Sequence, residues 1–405
     1  MTTYGVSPWI DGFPPSRVPS YPKHRGSGTA DVVIVGGGLT GCVTAYAFAA
    51  AGVRPVLLES GQIGRGASGG AAGIISDDPG VDFADLSRAL GARRATIAWQ
   101  AWRRAALDFQ ALLRRLEIRC ALEARPSLVV AATPEQAARL AREEKARREA
   151  GFGGARLNAR AAAAAAGFAA SSAIRTAGAG AIDPYRATLG LAAAAAARGA
   201  RLFERTEVRR ITFTRKVADV LTADGAIRTG RVVIATGTPT RLFHSLQRHF
   251  WFHRSFFALT APIPARVRQL LGGRDAIVRD LATPAHRVRW VDGDRLLVGG
   301  ADADSSESLT KNKLLIQRTG QLMYELSTLY PDVSGTRPDY GWEAPYARTA
   351  DGLPYFGAHR NFPFHLFAFG DSSHSVTGAY LASRIFLREH LGERDAAADA
   401  FGFHR

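Results

Sequence analysis

Three glycines and one acidic residue near the N-terminus have the spacing of a dinucleotide-binding site. Gly36, Gly38 and Gly41 stand in G-x-G-x-x-G register, and Glu59 follows about twenty residues later. The first glycine permits a tight turn, the second lets a pyrophosphate approach the main chain, and the third lets a helix pack against a strand. An acid at this position can accept both ribose hydroxyls. The pattern predicts a bound dinucleotide; it disfavours NADP, whose 2′-phosphate would be repelled, and leaves NAD and FAD open.

The surrounding sequence supplies the elements that must position these residues. An apolar, β-branched run over 31–35 predicts a strand covered on both faces. Residues 42–51 then predict a helix, and 55–58 predict a second strand. The helix N-terminus offers free N–H groups and a partial positive charge to phosphate. This βαβ opening predicts cofactor contacts from the glycines and from Leu39 and Thr40.

A second glycine-rich loop, residues 61–73, directly follows this unit. Such a loop can wrap a further stretch of an extended cofactor with its main-chain N–H groups. It favours FAD, because the alternative enzyme class, an NAD-linked dehydrogenase, leaves this loop unexplained. The residues expected to contact the cofactor here are Ser60, Arg65, Ala67 and Ser68.

Together with this loop, four further segments resemble the FAD-dependent D-amino acid oxidase superfamily. The resemblance covers nearly the whole chain, and it is strongest to the γ-glutamylputrescine oxidase-like and the glycine or sarcosine oxidase-like members. The four segments are the Trp-containing leader Ser7-Pro8-Trp9, the stretch Ala181-Ile182-Asp183-Pro184-Tyr185, the strand end at 231–237 and the C-terminal loop at 369–378.

The resemblance implies further contacts with the cofactor. They are Val208 at adenine, Thr236 and Gly237 at a strand end, and Gly370, His374, Val376 and Thr377 beside the flavin. We expect Val376 and Thr377 to open a helix that runs to His390, whose N-terminal dipole would stabilise reduced flavin. FAD should be noncovalent, because sarcosine oxidases hold flavin through a C-terminal cysteine, whereas Cys42 and Cys120 lie in the other half.

The predicted fold class is α/β with an α+β second lobe. A Rossmann-type FAD-binding domain of the glutathione-reductase type would be interleaved with a substrate domain built on an antiparallel sheet. Residues 1–28, rich in Pro, Ser and Gly, predict an extended arm. The expected FAD-binding segments are 29–90, 168–240 and 338–405, and the expected substrate-binding segments are 91–167 and 241–337.

The substrate domain is expected to contain one long helix and several short strands. Apolar residues at helical spacing over 92–118 predict an amphipathic helix, whose stripe, including Trp99 and Trp102, is interpreted as core and not as a site. The expected strands and turn are 256–259, 286–290, 295–299 and Asp292-Gly293.

The reaction that the resemblance implies is oxidation of a small amine or amino acid to an imine by hydride transfer to flavin. O2 or another acceptor would reoxidise the flavin; the segment Leu296-Leu297-Val298 lacks the oxygen-activating Lys of sarcosine oxidases, so the acceptor stays open. The candidate substrate residues are Arg289 and Arg348 for a carboxylate, Trp342 and Tyr346 as an aromatic wall for a cationic amine, and His374 in the flavin loop. No metal site is expected.

Composition narrows the remaining function classes. The chain has 405 residues, of which 46% are hydrophobic and 22% charged, enough for a large buried core. A net charge of +16 could attract nucleic acid, but the arginines are scattered, and no nucleic-acid partner is expected. A noncatalytic or nucleic-acid-binding protein, and a dehydrogenase acting on a 2-hydroxy acid, stay as alternatives. Two cysteines and the lack of a membrane-length apolar run favour a cytoplasmic protein; the oligomeric state is left open.

Overall fold

The computed structural model describes residues 1–214, 216–305, 311–371 and 376–405. The strands in this part of the chain are β1 Thr3–Tyr4, β2 Gly26–Val35, β3 Pro55–Leu58, β4 Ile74–Ile75, β5 Glu123–Ala131, β6 Ala155–Leu157, β7 Ser172–Ala181, β8 Arg201–Phe203, β9 Arg210–Phe213, β10 Ala218–Leu221, β11 Gly225–Gly237, β12 Trp251–Thr260, β13 Ile277–Asp280, β14 Arg287–Val291, β15 Arg295–Asp304, β16 Pro338–Arg348, β17 Tyr355–His359 and β18 Phe362–Phe369.

The helices are α1 Pro8–Asp11, α2 Leu39–Ala50, α3 Ala67–Gly70, α4 Phe83–Leu90, α5 Ala92–Arg115, α6 Pro134–Glu149, α7 Ala159–Ala166, α8 Pro184–Ala197, α9 Ala265–Leu270, α10 Lys311–Leu329, α11 Thr377–His390 and α12 Ala398–Phe401. Short 3₁₀ helices cover Pro15–Arg17, Arg241–His249 and Pro331–Val333. Within the described ranges, none of the helices is long and apolar enough to cross a membrane.

The first sheet has the strand order β17-β18-β11-β2-β3-β8 and is parallel from β18 to β8. Its central strand β2 is buried on both faces: Val32 and Ile34 join the cluster that contains the residues of α2, α8 and α11, while Val33 joins a second cluster on the other side. Double burial explains why the sequence there is a continuous β-branched run. The predicted strand–helix–strand opening is therefore confirmed.

The second sheet has the order β1-β16-β12-β15-β14-β13-β5-β7-β4, with β6 paired to β7. Most of its pairs are antiparallel; β1 with β16 and β5 with β13 are parallel. Phe256 and Ala258 of β12 are buried in one cluster with α10, whereas Phe257 and Leu259 are buried in the large cluster shared with the first lobe. The alternation places one face of this sheet toward the cofactor lobe.

The predicted hairpin is confirmed in detail. Strands β14 and β15 are joined through Asp292 (φ 52°), Gly293 (φ 75°) and Asp294. Two consecutive residues with positive φ form the kind of turn whose twist matches a β-hairpin, and Asp-Gly is a preferred sequence for it. The long helix α5 also forms as predicted, with Trp99, Trp102 and Phe109 buried along its apolar stripe.

The chain passes repeatedly between the two sheets, and the predicted α/β architecture with an interleaved second lobe is confirmed. Strands β7 and β16 fall within 168–240 and 338–405, which were assigned to the FAD-binding domain, yet both hydrogen-bond in the second sheet. The exact domain boundaries stay a proposal. We propose to assign β7 and β16 to the substrate-binding domain, whose sheet they belong to. Of the arm predicted over residues 1–28, the last three residues belong to β2. The N-terminal arm, residues 1–25, contains β1 and α1 in addition to extended chain, and its Trp9 is buried.

Candidate functional site

A cleft of about 950 Å³ lies where the carboxyl ends of β2, β3, β11 and β18 meet β16 of the second sheet. This volume suits a large ligand, and strand ends at such a position are the usual binding place in open α/β sheets. The residues singled out from sequence that line this cleft are Gly36, Gly38, Leu39, Thr40, Glu59, Ser60, Ala67, Ser68, Val208, Thr236, Gly237, Gly370, Val376 and Tyr346.

Glycine is required at two positions of the βαβ unit, one in the turn after β2 and one in the first turn of α2. Gly36 has φ 108°, and a Cβ there would lie 2.7 Å from the carbonyl oxygen of Ala235. A Cβ on Gly41 would lie 1.9 Å from the carbonyl oxygen of Gly36. Gly41 is thus required for the helix α2 to approach the strand, which is the role predicted for it. Gly41 itself lies outside the cleft lining.

Glu59 is held at the end of β3 by main-chain donors. Its Oε2 accepts from the N–H of Gly37 across 2.6 Å, and its Oε1 accepts from the N–H of Gly61 across 2.7 Å. These bonds fix the carboxylate at the cleft wall, where its remaining lone pairs can accept from hydroxyl groups. A ribose fits this donor–acceptor pattern.

Ser68 connects the two glycine loops. Its Oγ accepts from the N–H of Leu39 across 2.8 Å at the first turn of α2. A Cβ on Gly38 would lie 2.9 Å from that same oxygen, so the loops approach as closely as glycine allows. Arg65, in the second loop, is exposed and lies outside the cleft lining.

The opposite end of the cleft lies at the start of α11. The helix spans Thr377–His390, as predicted, and Val376, Gly378 and Ala379 line the cleft. The hydroxyl of Thr377 donates to the carbonyl oxygen of Ser76 across 2.9 Å, which fixes this helix end against the residue that follows β4. His374 lies outside the described residues.

These features together fit FAD. Two helix N-termini, of α2 and α11, border one elongated cleft, and each favours negative charge. The glycine turn packs directly on Glu59, since a Cβ on Gly37 would lie 2.8 Å from the Cβ of Glu59. Residues 36–40 would hold the pyrophosphate, Glu59 the ribose, and Val208 the adenine.

Comparison with known proteins decides the family. A family model described as FAD-dependent oxidoreductase (DAO) matches residues 31–388, most of the chain. The chain belongs to the DAO family of FAD-dependent oxidoreductases. This DAO-family protein is therefore an enzyme, and FAD is its cofactor.

Curated relatives agree with this family. The DAO-family chain is 27% identical to γ-glutamylputrescine oxidoreductase of Escherichia coli over 387 residues, which cover 92% of this chain and 86% of that protein. It is 29% identical to the probable oxidoreductase OrdL of Haemophilus influenzae over 219 residues, or 53% of this chain and about half (48%) of that protein. Among solved structures, glycine oxidase of Geobacillus kaustophilus superposes with a TM-score of 0.76 at 23% identity, over 91% of this chain and 96% of that one.

Arg289 does not reach the cleft of the DAO-family enzyme. Its Nε donates to the carbonyl oxygen of Ala72 across 2.8 Å and its Nη2 to that of Ile182 across 3.2 Å, and its guanidinium lies 5.1 Å from the centre of the Trp9 ring. Burial, helped by the charge of Arg125, lowers the pKa of Arg289 to about 10. Because its guanidinium donates to main-chain carbonyl groups, Arg289 has a structural role in this geometry.

The other three candidates from β16 take different positions. Trp342 is buried and stacks on Phe257 with ring centres 5.5 Å apart, and its Nε1 donates to the carbonyl oxygen of Gly70. Arg348 is exposed at the strand end. Of these residues, Tyr346 lines the cleft.

The structure also brings residues to the cleft that sequence reasoning missed. Trp102, interpreted as core, lines the cleft, where its ring lies 3.1 Å from the position of a Cβ on Gly378. Asp371 lines the same end. Arg287 lies outside the cleft lining but interacts electrostatically with Asp302 and with the cleft residue Asp371, and its pKa is lowered because burial and Arg279 outweigh these carboxylates. The sequence contained a signal for Arg287: it lies two residues before the candidate Arg289 on one strand, and residues two apart on a strand share a face.

Proposed function

We propose that this enzyme oxidises the C–N bond of a small amine or amino acid to an imine, which water then hydrolyses. The observation that carries the proposal is the phenol of Tyr346, which lines the cleft and is bonded to Asp302; Arg287, outside the cleft lining, interacts electrostatically with the same carboxylate. FAD, when bound, supplies the hydride acceptor.

Tyr346 offers an oxygen acceptor to a substrate. Its hydroxyl donates to Oδ2 of Asp302 across 2.6 Å, and burial together with the charge of Asp302 raises the pKa of Tyr346, so the phenol keeps its proton. With that proton directed to Asp302, the phenol oxygen can act as an acceptor toward an N–H donor. Ser255 donates to the other carboxylate oxygen of Asp302 and holds the pair in place.

Arg287 offers the complementary charge. Its planar guanidinium can pair with a substrate carboxylate through two parallel hydrogen bonds. A guanidinium on β14 and a phenol on β16 that is bonded to a carboxylate on β15 suit a molecule that carries an amine and, in the case of an amino acid, a carboxylate; β12 lies between β15 and β16 in the sheet. The names of the E. coli and G. kaustophilus relatives, an oxidoreductase of γ-glutamylputrescine and an oxidase of glycine, support this substrate class.

The enzyme's own residues would position the substrate and exclude water from the cleft. Trp102, Phe356 and Ala368 give the cleft apolar walls, which strengthen the electrostatic contacts made by Tyr346 and Arg287. Proton removal from the substrate ammonium is needed before hydride transfer, and the phenol of Tyr346 can accept that proton as it passes its own proton to the Asp302 carboxylate, to which it is bonded. We propose O2 as the final acceptor, with a quinone or another carrier as the alternative.

The experiment is a visible absorption spectrum of the purified holoenzyme, recorded without oxygen while amines and amino acids are added singly. Bleaching of the flavin band by one compound would establish the reaction and the substrate class. A yellow protein that no amine or amino acid bleaches, or that only a 2-hydroxy acid bleaches, would overturn the proposal. Admitting O2, or a soluble quinone, to the bleached sample then identifies the acceptor by the rate at which colour returns.

A further inference from the structure

Five consecutive carbonyl groups of the second glycine loop each accept a hydrogen bond from a distant part of the chain. The donors are Ser7 Oγ to Gly69 (2.5 Å), Trp342 Nε1 to Gly70 (2.8 Å), Trp9 Nε1 to Ala71 (2.9 Å), Arg289 Nε to Ala72 (2.8 Å) and the main-chain N–H of Ile182 to Gly73 (2.9 Å). Two of these donors belong to the N-terminal arm, residues 1–25.

The loop that receives these bonds also lines the cofactor cleft. Ala67, Ser68 and Ala71 lie in the cleft lining, and Ser68 accepts from the N–H of Leu39 at the start of α2. The arm therefore contacts the same short segment that contacts the space for FAD. A displacement of that segment would move Ser68 away from α2.

The arm is built to lie at this position. Ser7 is 2% exposed, and its Oγ also accepts from the N–H of Ile10, so it caps α1 while it holds Gly69. A Cβ on Gly69 would lie 2.7 Å from Cδ1 of Ile10, so the arm packs directly on the loop backbone. On its other side the arm pairs with β16 through β1.

Trp9 joins the arm to the second sheet as well. Its ring lies under the guanidinium of Arg289, whose centre is 5.1 Å from the ring centre, and both side chains donate to neighbouring carbonyls, Ala71 and Ala72. Arm, loop and β14 thus form one hydrogen-bonded unit. Removal of Trp9's donor would leave the carbonyl of Ala71 without this bond.

We infer that Ser7 and Trp9 are positioning residues for FAD and that the arm sets how tightly the cofactor is held. A loop rich in glycine has many alternative conformations, and each anchor removes some of them. When only a fraction of the molecules holds the binding conformation, the apparent dissociation constant rises by the inverse of that fraction. The inference concerns cofactor retention and is independent of the substrate proposed above.

The test uses the full chain with two conservative changes, Ser7→Ala and Trp9→Phe. The dissociation constant of FAD is measured by quenching of flavin fluorescence when FAD is added to the apoprotein. Each variant should bind FAD about 5- to 10-fold more weakly, the size expected for one lost hydrogen bond. Trp251→Phe, a change of the same chemistry at a 55% exposed tryptophan, should bind like the wild type, and Ser7→Thr, which keeps the hydroxyl, should restore most of the affinity.

A second measurement needs no variant. Hydrogen–deuterium exchange of the wild-type chain, with and without FAD, should show slower exchange in both 66–73 and the arm around α1 when FAD binds. Protection confined to 66–73 would overturn the inference, as would wild-type FAD affinity in both Ser7→Ala and Trp9→Phe. Joint protection with weakened binding in the variants would support it, whatever substrate the enzyme oxidises.

Discussion

The phenol of Tyr346 donates to the carboxylate of Asp302 across 2.6 Å, with Tyr346 on β16 and Asp302 on β15. This bond directs the only proton of the phenol away from the cleft that Tyr346 lines. The relationship explains why the site can accept a hydrogen bond from an amine. It also makes the pair a direct subject for mutation.

Tyr346→Phe should weaken amine binding and leave the flavin in place. We expect KM for the best amine to rise about 10-fold or more, because one hydrogen bond to a charged group contributes about 1.5 to 3 kcal/mol. Steady-state kinetics measures KM, and the visible spectrum confirms normal FAD content. Tyr324→Phe, at a residue that is 74% exposed on α10, is the control. An unchanged KM in Tyr346→Phe would remove Tyr346 from the substrate site.

Arg287→Lys should discriminate between substrates. The lysine keeps the positive charge but loses the planar pair of donors, so KM for an amino acid should rise about 10-fold or more, while KM for an amine without a carboxylate should change little. The measurement is the ratio of kcat/KM for an amino acid and its decarboxylated amine in the variant and the wild type. Arg94→Lys, at an exposed arginine on α5, serves as control. Equal losses for both substrates would contradict a carboxylate contact.

Gly41→Ala should abolish FAD binding. The added methyl would overlap the carbonyl oxygen of Gly36, since it would lie 1.9 Å from it, and would push α2 off the strand. Overpacking of this kind costs about 1 to 3 kcal/mol or more, and it also misplaces the helix end that faces the pyrophosphate. Thermal unfolding and the flavin absorbance measure the two effects. Gly320→Ala, inside α10 where a Cβ meets nothing within 4 Å, should leave the flavin absorbance unchanged and should not lower the unfolding temperature.

His286 should make stability depend on alkaline pH. Burial alone would lower its pKa, but hydrogen bonds and charges from Asp280 and Glu325, at 2.6 and 2.9 Å, outweigh burial and raise the pKa to about 9. A folded-state pKa above the unfolded value of about 6.5 means that the stabilisation is complete below pH 6.5 and is lost as pH rises through 9.

Denaturant unfolding at several pH values checks this expectation. His286→Gln should lower the free energy of unfolding by about 1 to 3 kcal/mol at pH 6, and the difference from wild type should shrink toward pH 10. His244→Gln, at an exposed histidine, should give the wild-type curve. A loss of the same size at pH 6 and pH 10 would show that the charge of His286 is not involved.

The cofactor half of the site was readable because its signals are local. Gly36, Gly41 and Glu59 belong to one βαβ unit, in which the turn, the helix and the second strand follow each other directly. Short-range geometry fixes such a unit wherever it occurs. The hairpin at Asp292 and the start of α11 at Thr377 were predicted for the same reason.

The substrate half was not readable in this way. Arg287 and Arg289 share a face of β14, and the sequence favoured Arg289 as the substrate contact. The packing of β14 against the loop at Ala72 decides the outcome. Arg289 donates to main-chain carbonyl groups, whereas Arg287 interacts electrostatically with carboxylates. Trp102 likewise fits a core stripe, and it lines the cleft because α11 lies beside it.

The sequence by itself therefore determined the cofactor, the family resemblance and the βαβ unit, since each of the motifs that carry them consists of residues close together in the chain. The tertiary structure alone decided which residues of the second sheet face the cleft. It also decided that Ser7 and Trp9 hold the loop at 69–71, sixty-two positions away from each donor. Contacts between segments so far apart depend on how whole sheets and helices pack against each other, and no local pattern of side chains specifies that packing.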